Sequence, residues 1–165
     1  MPDQVAVSRT PVAVFISGRG SNLQSLIDAA ADREFPAEIA VVVSDQPDAY
    51  GLQRAKDAGI PHASLPRSGY ANRRAFETAL GEAARSHHAE CICLAGFMRI
   101  LSADFVADWR NLILNIHPSL LPSFKGLDTH ARALDAGVKF HGATVHLVTE
   151  NLDEGAILAQ AAVPV

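Results

Sequence analysis

Along most of the chain, short apolar runs alternate with stretches in which apolar residues recur at helical spacing. Val12-Ala-Val-Phe-Ile-Ser17 is an apolar, β-rich run that ends in Gly18-Arg-Gly-Ser21, and Leu23, Leu26, Ile27 and Ala30 then fall on one helix face. A strand, a glycine turn and a helix are expected there. Ile39 to Val43 predicts a second strand closed by Ser44-Asp45-Gln-Pro47, followed by a helical stripe of Leu52, Ala55 and Ala58 that Gly59 ends as a C-cap. After a Pro-rich connection, Ala75, Phe76, Ala79, Leu80 and Ala83 predict a third helix over 72–86, which leads into the apolar segment Cys91-Ile-Cys-Leu-Ala95. Ser102 is placed to cap a short helix, and Leu112-Ile-Leu-Asn-Ile116 predicts another strand. The 13 residues from His117 to Thr129 form a loop long enough to suggest a functional one.

Repeated βα units predict an α/β, Rossmann-like fold: a mostly parallel sheet with helices on both faces, because parallel strands need crossover connections. Ligands are then expected at the carboxyl ends of the strands. The tail departs from this rhythm. Thr144 to Thr149 and Ile157 to Val165 read as two strands joined by Glu150-Asn-Leu-Asp-Glu-Gly155, with no room for a helix between them, so an antiparallel strand pair is expected near the C-terminus.

Composition narrows the function classes. With 165 residues, 48% hydrophobic and 19% charged, the chain matches one ordinary folded domain. Fourteen basic against eighteen acidic side chains leave a net charge of −4, without the basic excess on which nucleic-acid binding relies. No apolar stretch approaches the ~20 residues of a membrane span. Met1 to Pro11 carry Asp3 and one basic residue, which does not fit a signal peptide. Cys91 and Cys93, two apart in an apolar strand, read as core residues on one face, and a cytoplasmic location is expected. Of the seven histidines, none shows a metal-ligand spacing. His87 and His88 fall at a helix end, and His141 and His146, five apart in a strand, point to opposite faces, so no metal is expected.

Three places carry candidate chemistry. Gly18-x-Gly20-Ser21-Asn22 stands where glycines let a backbone approach an anion and a helix N-terminus offers free N–H groups. Leu23 breaks the dinucleotide fingerprint and no Walker Lys follows, and a plain N-cap at Ser21 or Asn22 is the competing reading. Asn115 and His117, two apart at a strand end, point the same way; an amide that donates to an oxyanion and an imidazole that moves a proton suit acyl transfer to an amine. Backbone bonding by both is the alternative. Asp153, in the turn before Gly155, gains a role only if it reaches His117, where a carboxylate favours imidazolium and fixes the tautomer; otherwise it is turn chemistry. Arg99, after Gly96-Phe-Met98, lies at the edge of the expected site.

Taken together, Phe15 to Gln24, Leu94 to Ser102, Asn115 to Pro122, Gly126 to His130 and Leu152 to Gly155 resemble the phosphoribosylglycinamide formyltransferase family of purine synthesis, in order and in spacing, from Val12 onward. The resemblance implies formyl transfer from 10-formyltetrahydrofolate, a cosubstrate, to the amine of glycinamide ribonucleotide. It implies Asn115, His117 and Asp153 as the catalytic trio and Gly20, Ser21 and Asn22 as the phosphate loop. It also implies folate contacts from Arg73, Met98, Arg99, Ile100, Leu101, Asn115, Thr149, Glu150, Asn151, Leu152 and Asp153. A single formyltransferase domain over 1–165, lacking the C-terminal portion usual in the family, is expected, as monomer or homodimer with small-molecule partners only. Formyltetrahydrofolate deformylase is the nearest competitor, and a non-catalytic nucleotide-binding module the alternative from another class.

Overall fold

The structure, a computed structural model, describes residues 8–165. Most of the stretch on which the signal-peptide reading rests therefore lies outside the described residues. The chain forms two compact units, one ending at Met98 and the other spanning Arg99–Val165.

The first unit carries β1 (Thr10–Ile16), α1 (Ser21–Ala30), β2 (Ala37–Ser44), α2 (Tyr50–Asp57), β3 (His62–Ser64), a 3-10 turn at Arg67–Gly69, α3 (Arg73–Ser86) and β4 (Cys91–Leu94). Its strands lie in the order β3-β2-β1-β4, all parallel, as the βα alternation requires. Val12, Val14 and Ile16 of β1 and Val42 of β2 form one core with Leu23 of α1 and Ala55 of α2. The alternate residues Ala13, Phe15, Val41 and Val43 are equally buried, so neither sheet face is open, and α3, packed on β2, buries Phe76, Leu80 and Ala84. Asn72 caps α3 by accepting the Ala75 N–H at 2.9 Å. Strand β3 escaped the sequence reading because its three residues alternate exposed His62 and Ser64 around one half-buried Ala63, too short a run to show a period.

Arg9 fastens the start of β1. Its Nε donates to Phe35 O and Ala37 O, both at 3.1 Å, and its Nη2 to Ala30 O at 2.6 Å, at the carbonyl end of α1. Arg9→Ala is expected to lower unfolding free energy by about 1–3 kcal/mol, the worth of charge-assisted bonds to otherwise orphaned carbonyls. Lys does not restore it, because an ammonium lacks the planar fork. Urea denaturation midpoints check both variants.

Cys91 and Cys93 are half-buried against the first core rather than fully enclosed. Burial, with a smaller contribution from Cys91, pushes the Cys93 thiol up to about 12, and burial followed by Glu90 raises that of Cys91. The thiolate is the reactive form, so at pH 8 the folded protein is expected to alkylate with iodoacetamide far more slowly than the urea-unfolded chain. Mass spectrometry of the two cysteine peptides reads this out, and equal rates would contradict it.

The second unit carries α4 (Ala103–Asp108), β5 (Ile113–His117), α5 (Thr129–Asp135), β6 (Phe140–Leu147) and β7 (Ile157–Pro164). Ser102 caps α4 by accepting the Phe105 N–H at 3.2 Å. The expected antiparallel pair is present as β6 and β7, and β5 also runs antiparallel to β6. Strand β6 starts four residues before the expected Thr144. Gly142 interrupts the β-branched pattern there, and it is required: a Cβ at this position would lie 2.0 Å from Ala161 O of β7. Helix α5 showed no stripe because, of its seven residues, the apolar Leu134 faces solvent. Among the described residues, no helix is long and apolar enough to cross a membrane.

Candidate active site

Strand β5 places Asn115 and His117 on the same face, two residues apart. The antiparallel register sets His146 opposite Asn115 and Thr144 opposite His117. Behind β6 the chain turns through 148–156, and Gly155 permits the turn, since a Cβ there would fall 1.7 Å from Leu147 O. Asp153 adopts a left-handed backbone with φ of 54° in this turn, a conformation that Asp tolerates better than most residues. The turn carries its carboxylate back to β5.

Asp153 Oδ2 lies 3.5 Å from His117 Nδ1 and accepts the Gly126 N–H at 2.9 Å, while Oδ1 lies 3.8 Å from His146 Nε2. On its other edge His117 Nε2 donates to Phe124 O at 3.0 Å. The two ring nitrogens of His117 thus face a backbone carbonyl within hydrogen-bond distance and a carboxylate at ion-pair distance. His117 is 6% exposed and Asp153 9%, so solvent screens their attraction little. The backbone-only reading of His117 accounts for one of its two edges. An imidazole held beside a carboxylate, next to a half-buried amide donor, has the parts for stabilising and protonating an oxyanion.

The loop after His117 is tied down by a buried hydroxyl. Thr144 Oγ1 donates to Ser119 O at 2.7 Å and accepts the Leu121 N–H at 3.0 Å and Gln160 Nε2 at 2.9 Å. Lys125 pairs with Glu154 at 2.8 Å, joining the same loop to the Asp153 turn. From the remaining residues expected on the folate side, Thr149, Glu150, Asn151 and Leu152 lie exposed along that turn. Arg99 and Ile100 are exposed at the start of the unit, whereas Leu101 is buried at 7%.

In the first unit, Gly20 is the N-cap of α1, in a left-handed conformation with φ of 72° and no side-chain cap bond. This corrects the reading of Ser21 or Asn22 as a plain cap. The first helical bond runs from Gln24 N–H to Gly20 O at 2.9 Å, so the Ser21, Asn22 and Leu23 N–H groups sit at the positive helix end, where an anion is favoured. Gly20 is held close to α2: a Cβ would come within 2.7 Å of Gly51 Cα, and Gly51 N–H donates to Gly18 O at 3.0 Å. Arg54, a residue no sequence motif singled out, braces this loop by donating to Arg19 O at 3.0 Å and Gln24 Oε1 at 2.9 Å. Arg73 opens α3 and pairs with Glu77 at 2.9 Å, and Met98 is exposed, its N–H bonded to Ser17 Oγ at 2.8 Å.

His146 is the residue that sequence reasoning passed over. It is 2% exposed, and its Nε2 lies 3.1 Å from Asn115 Nδ2. Read within β6 alone, it was one half of a poor chelating pair with His141. His141 instead bonds His130, ring nitrogen to ring nitrogen at 3.1 Å. The register of β5 on β6 is the signal that finds His146, and it needs the antiparallel topology.

Residues 10–165 match the family described as formyl transferase. The phosphoribosylglycinamide formyltransferase of Haemophilus influenzae is 49% identical over 154 residues, which are 93% of this chain and 73% of that protein. The trifunctional purine biosynthetic protein adenosine-3 of Bos taurus is 50% identical over 161 residues, and there the chain spans 16% of the relative's length. The crystal structure of phosphoribosylglycinamide formyltransferase from Brucella melitensis superposes with a TM-score of 0.92 at 55% identity, covering 96% of this chain and 81% of that one.

Proposed function

Since this chain belongs to the formyl transferase family, we propose that it carries a formyl group from 10-formyltetrahydrofolate to the primary amine of glycinamide ribonucleotide, with Asn115, His117 and Asp153 at the reacting centre. The observation that carries the reading is the Asp153–His117 pair beside Asn115 in a largely buried corner of the second unit. In this reading the amine nitrogen attacks the formyl carbon, and negative charge gathers on the formyl oxygen. Asn115 stabilises that oxygen together with His117, whose Nε2–H turns to it from Phe124 O while Nδ1 stays toward the Asp153 carboxylate. Collapse breaks the bond between the formyl carbon and folate N10, and the proton lost by the amine is delivered to N10. Gly20, Ser21 and Asn22 hold the ribonucleotide phosphate on the α1 N-terminus. The residues assigned to folate in this reading are Arg73 and Met98 in the first unit and Arg99, Ile100, Leu101, Asn115 and the turn from Thr149 to Asp153 in the second.

Absorbance assays with 10-formyltetrahydrofolate, with and without glycinamide ribonucleotide, test this. Turnover that requires the ribonucleotide supports transfer. Formate release of equal rate without it replaces the transferase reading by a hydrolase.

A further inference from the structure

We infer that His146 is a positioning residue that sets which way the Asn115 amide faces, an inference that rests on the proposed role of Asn115. The Leu147 carbonyl, 2.9 Å from His146 Nδ1, can only accept, so Nδ1 carries the hydrogen. Nε2 is left with a lone pair, and the atom 3.1 Å from it is Asn115 Nδ2, which donates. One Nδ2 hydrogen is thereby committed to His146, and the other is free for a developing oxyanion. In the opposite tautomer, Nε2–H would require the amide oxygen in that place, and the carboxamide would turn over. The tautomer of His146, held by a backbone carbonyl, therefore decides which end of Asn115 is offered to substrate.

Two features make this more than a packing contact. His146 and Asn115 are directly opposed residues of β5 and β6, so the strand register fixes their separation. His146 is also buried at 2% exposure, so its ring has little contact with solvent. Asp153 Oδ1, 3.8 Å from the same Nε2, is beyond hydrogen-bond reach, and the Asn115 N–H is what satisfies the lone pair.

A double-mutant cycle tests the inference. His146→Phe is expected to lower kcat about ten- to a hundredfold, the scale of a misplaced reacting group, while changing it less than about twofold in an Asn115→Ala background. His146→Gln, whose Oε1 can reach the position of Nε2, is expected to regain most of the loss. Equal losses in both backgrounds, or a Gln variant as impaired as the Phe one, would overturn it. Independently of activity, 15N NMR of the unmodified protein near neutral pH is expected to show His146 protonated at Nδ1 alone, and an Nε2–H tautomer defeats the inference even if no variant folds. Absence of formyl transfer by the unmodified protein would instead overturn the functional reading and leave the NMR result standing.

Discussion

His117→Ala is expected to lower kcat for formyl transfer by about 10²–10⁴-fold with little change in folate binding, the range spanned by a positioned general acid. The ring faces Phe124 O and Asp153 from its two edges, and Ala removes the proton-carrying group that stands between them. Removal also leaves the Asp153 carboxylate, 9% exposed, with the Gly126 N–H as its one close donor. Loss of stability therefore accompanies loss of rate, and His117→Gln serves as the control, since it fills the space and keeps a donor without the charge. Single-turnover kinetics at saturating substrates separate chemistry from binding. An alanine variant turning over within a few-fold of the unmodified protein would return His117 to a purely backbone-bonding role.

How far the site can be read from sequence depends on how far each feature reaches along the chain. Asn115 and His117 are legible because a two-residue spacing at a strand end is local geometry. The α1 loop is legible for the same reason, although its cap is the backbone of Gly20 and not a side chain. From its own segment Asp153 reads as a turn residue whose role is conditional on reaching His117, because that approach depends on a left-handed residue and on a close passage at Gly155, neither of which leaves a period in the sequence. The partner of His146 is not legible in its own segment, because it is set by the pairing of β5 with β6. The apolar run of β5 is equally compatible with parallel pairing, and only the register reveals the neighbour. Arg54 lies 30 residues from Gln24 and 35 from Arg19, and nothing local marks it. In the fold, long alternating segments were read correctly, whereas β3 and α5 were too short for a period to show.

Asp153→Asn isolates the charge that the site places beside His117. Asn suits the left-handed backbone at φ of 54° as well as Asp does, so the turn is retained, where Ala would add strain. The Asn oxygen can still accept the Gly126 N–H and face His117, which places the amide nitrogen on the side of His146 Nε2. His117 Nδ1 then faces a neutral amide oxygen where the carboxylate stood, and Nε2 keeps its bond to Phe124 O. The negative charge beside His117 is lost without removing any ring atom. Turnover is expected to fall by about 10²-fold or more, with folate affinity nearly intact, because the turn that carries Thr149 to Leu152 is undisturbed. Fluorescence titration of a non-transferable folate analogue alongside kcat checks both halves. Unchanged turnover near neutral pH would show that His117 does its work without the carboxylate. A parallel collapse of folate binding would instead show that Asp153 acts chiefly by holding folate and not through His117.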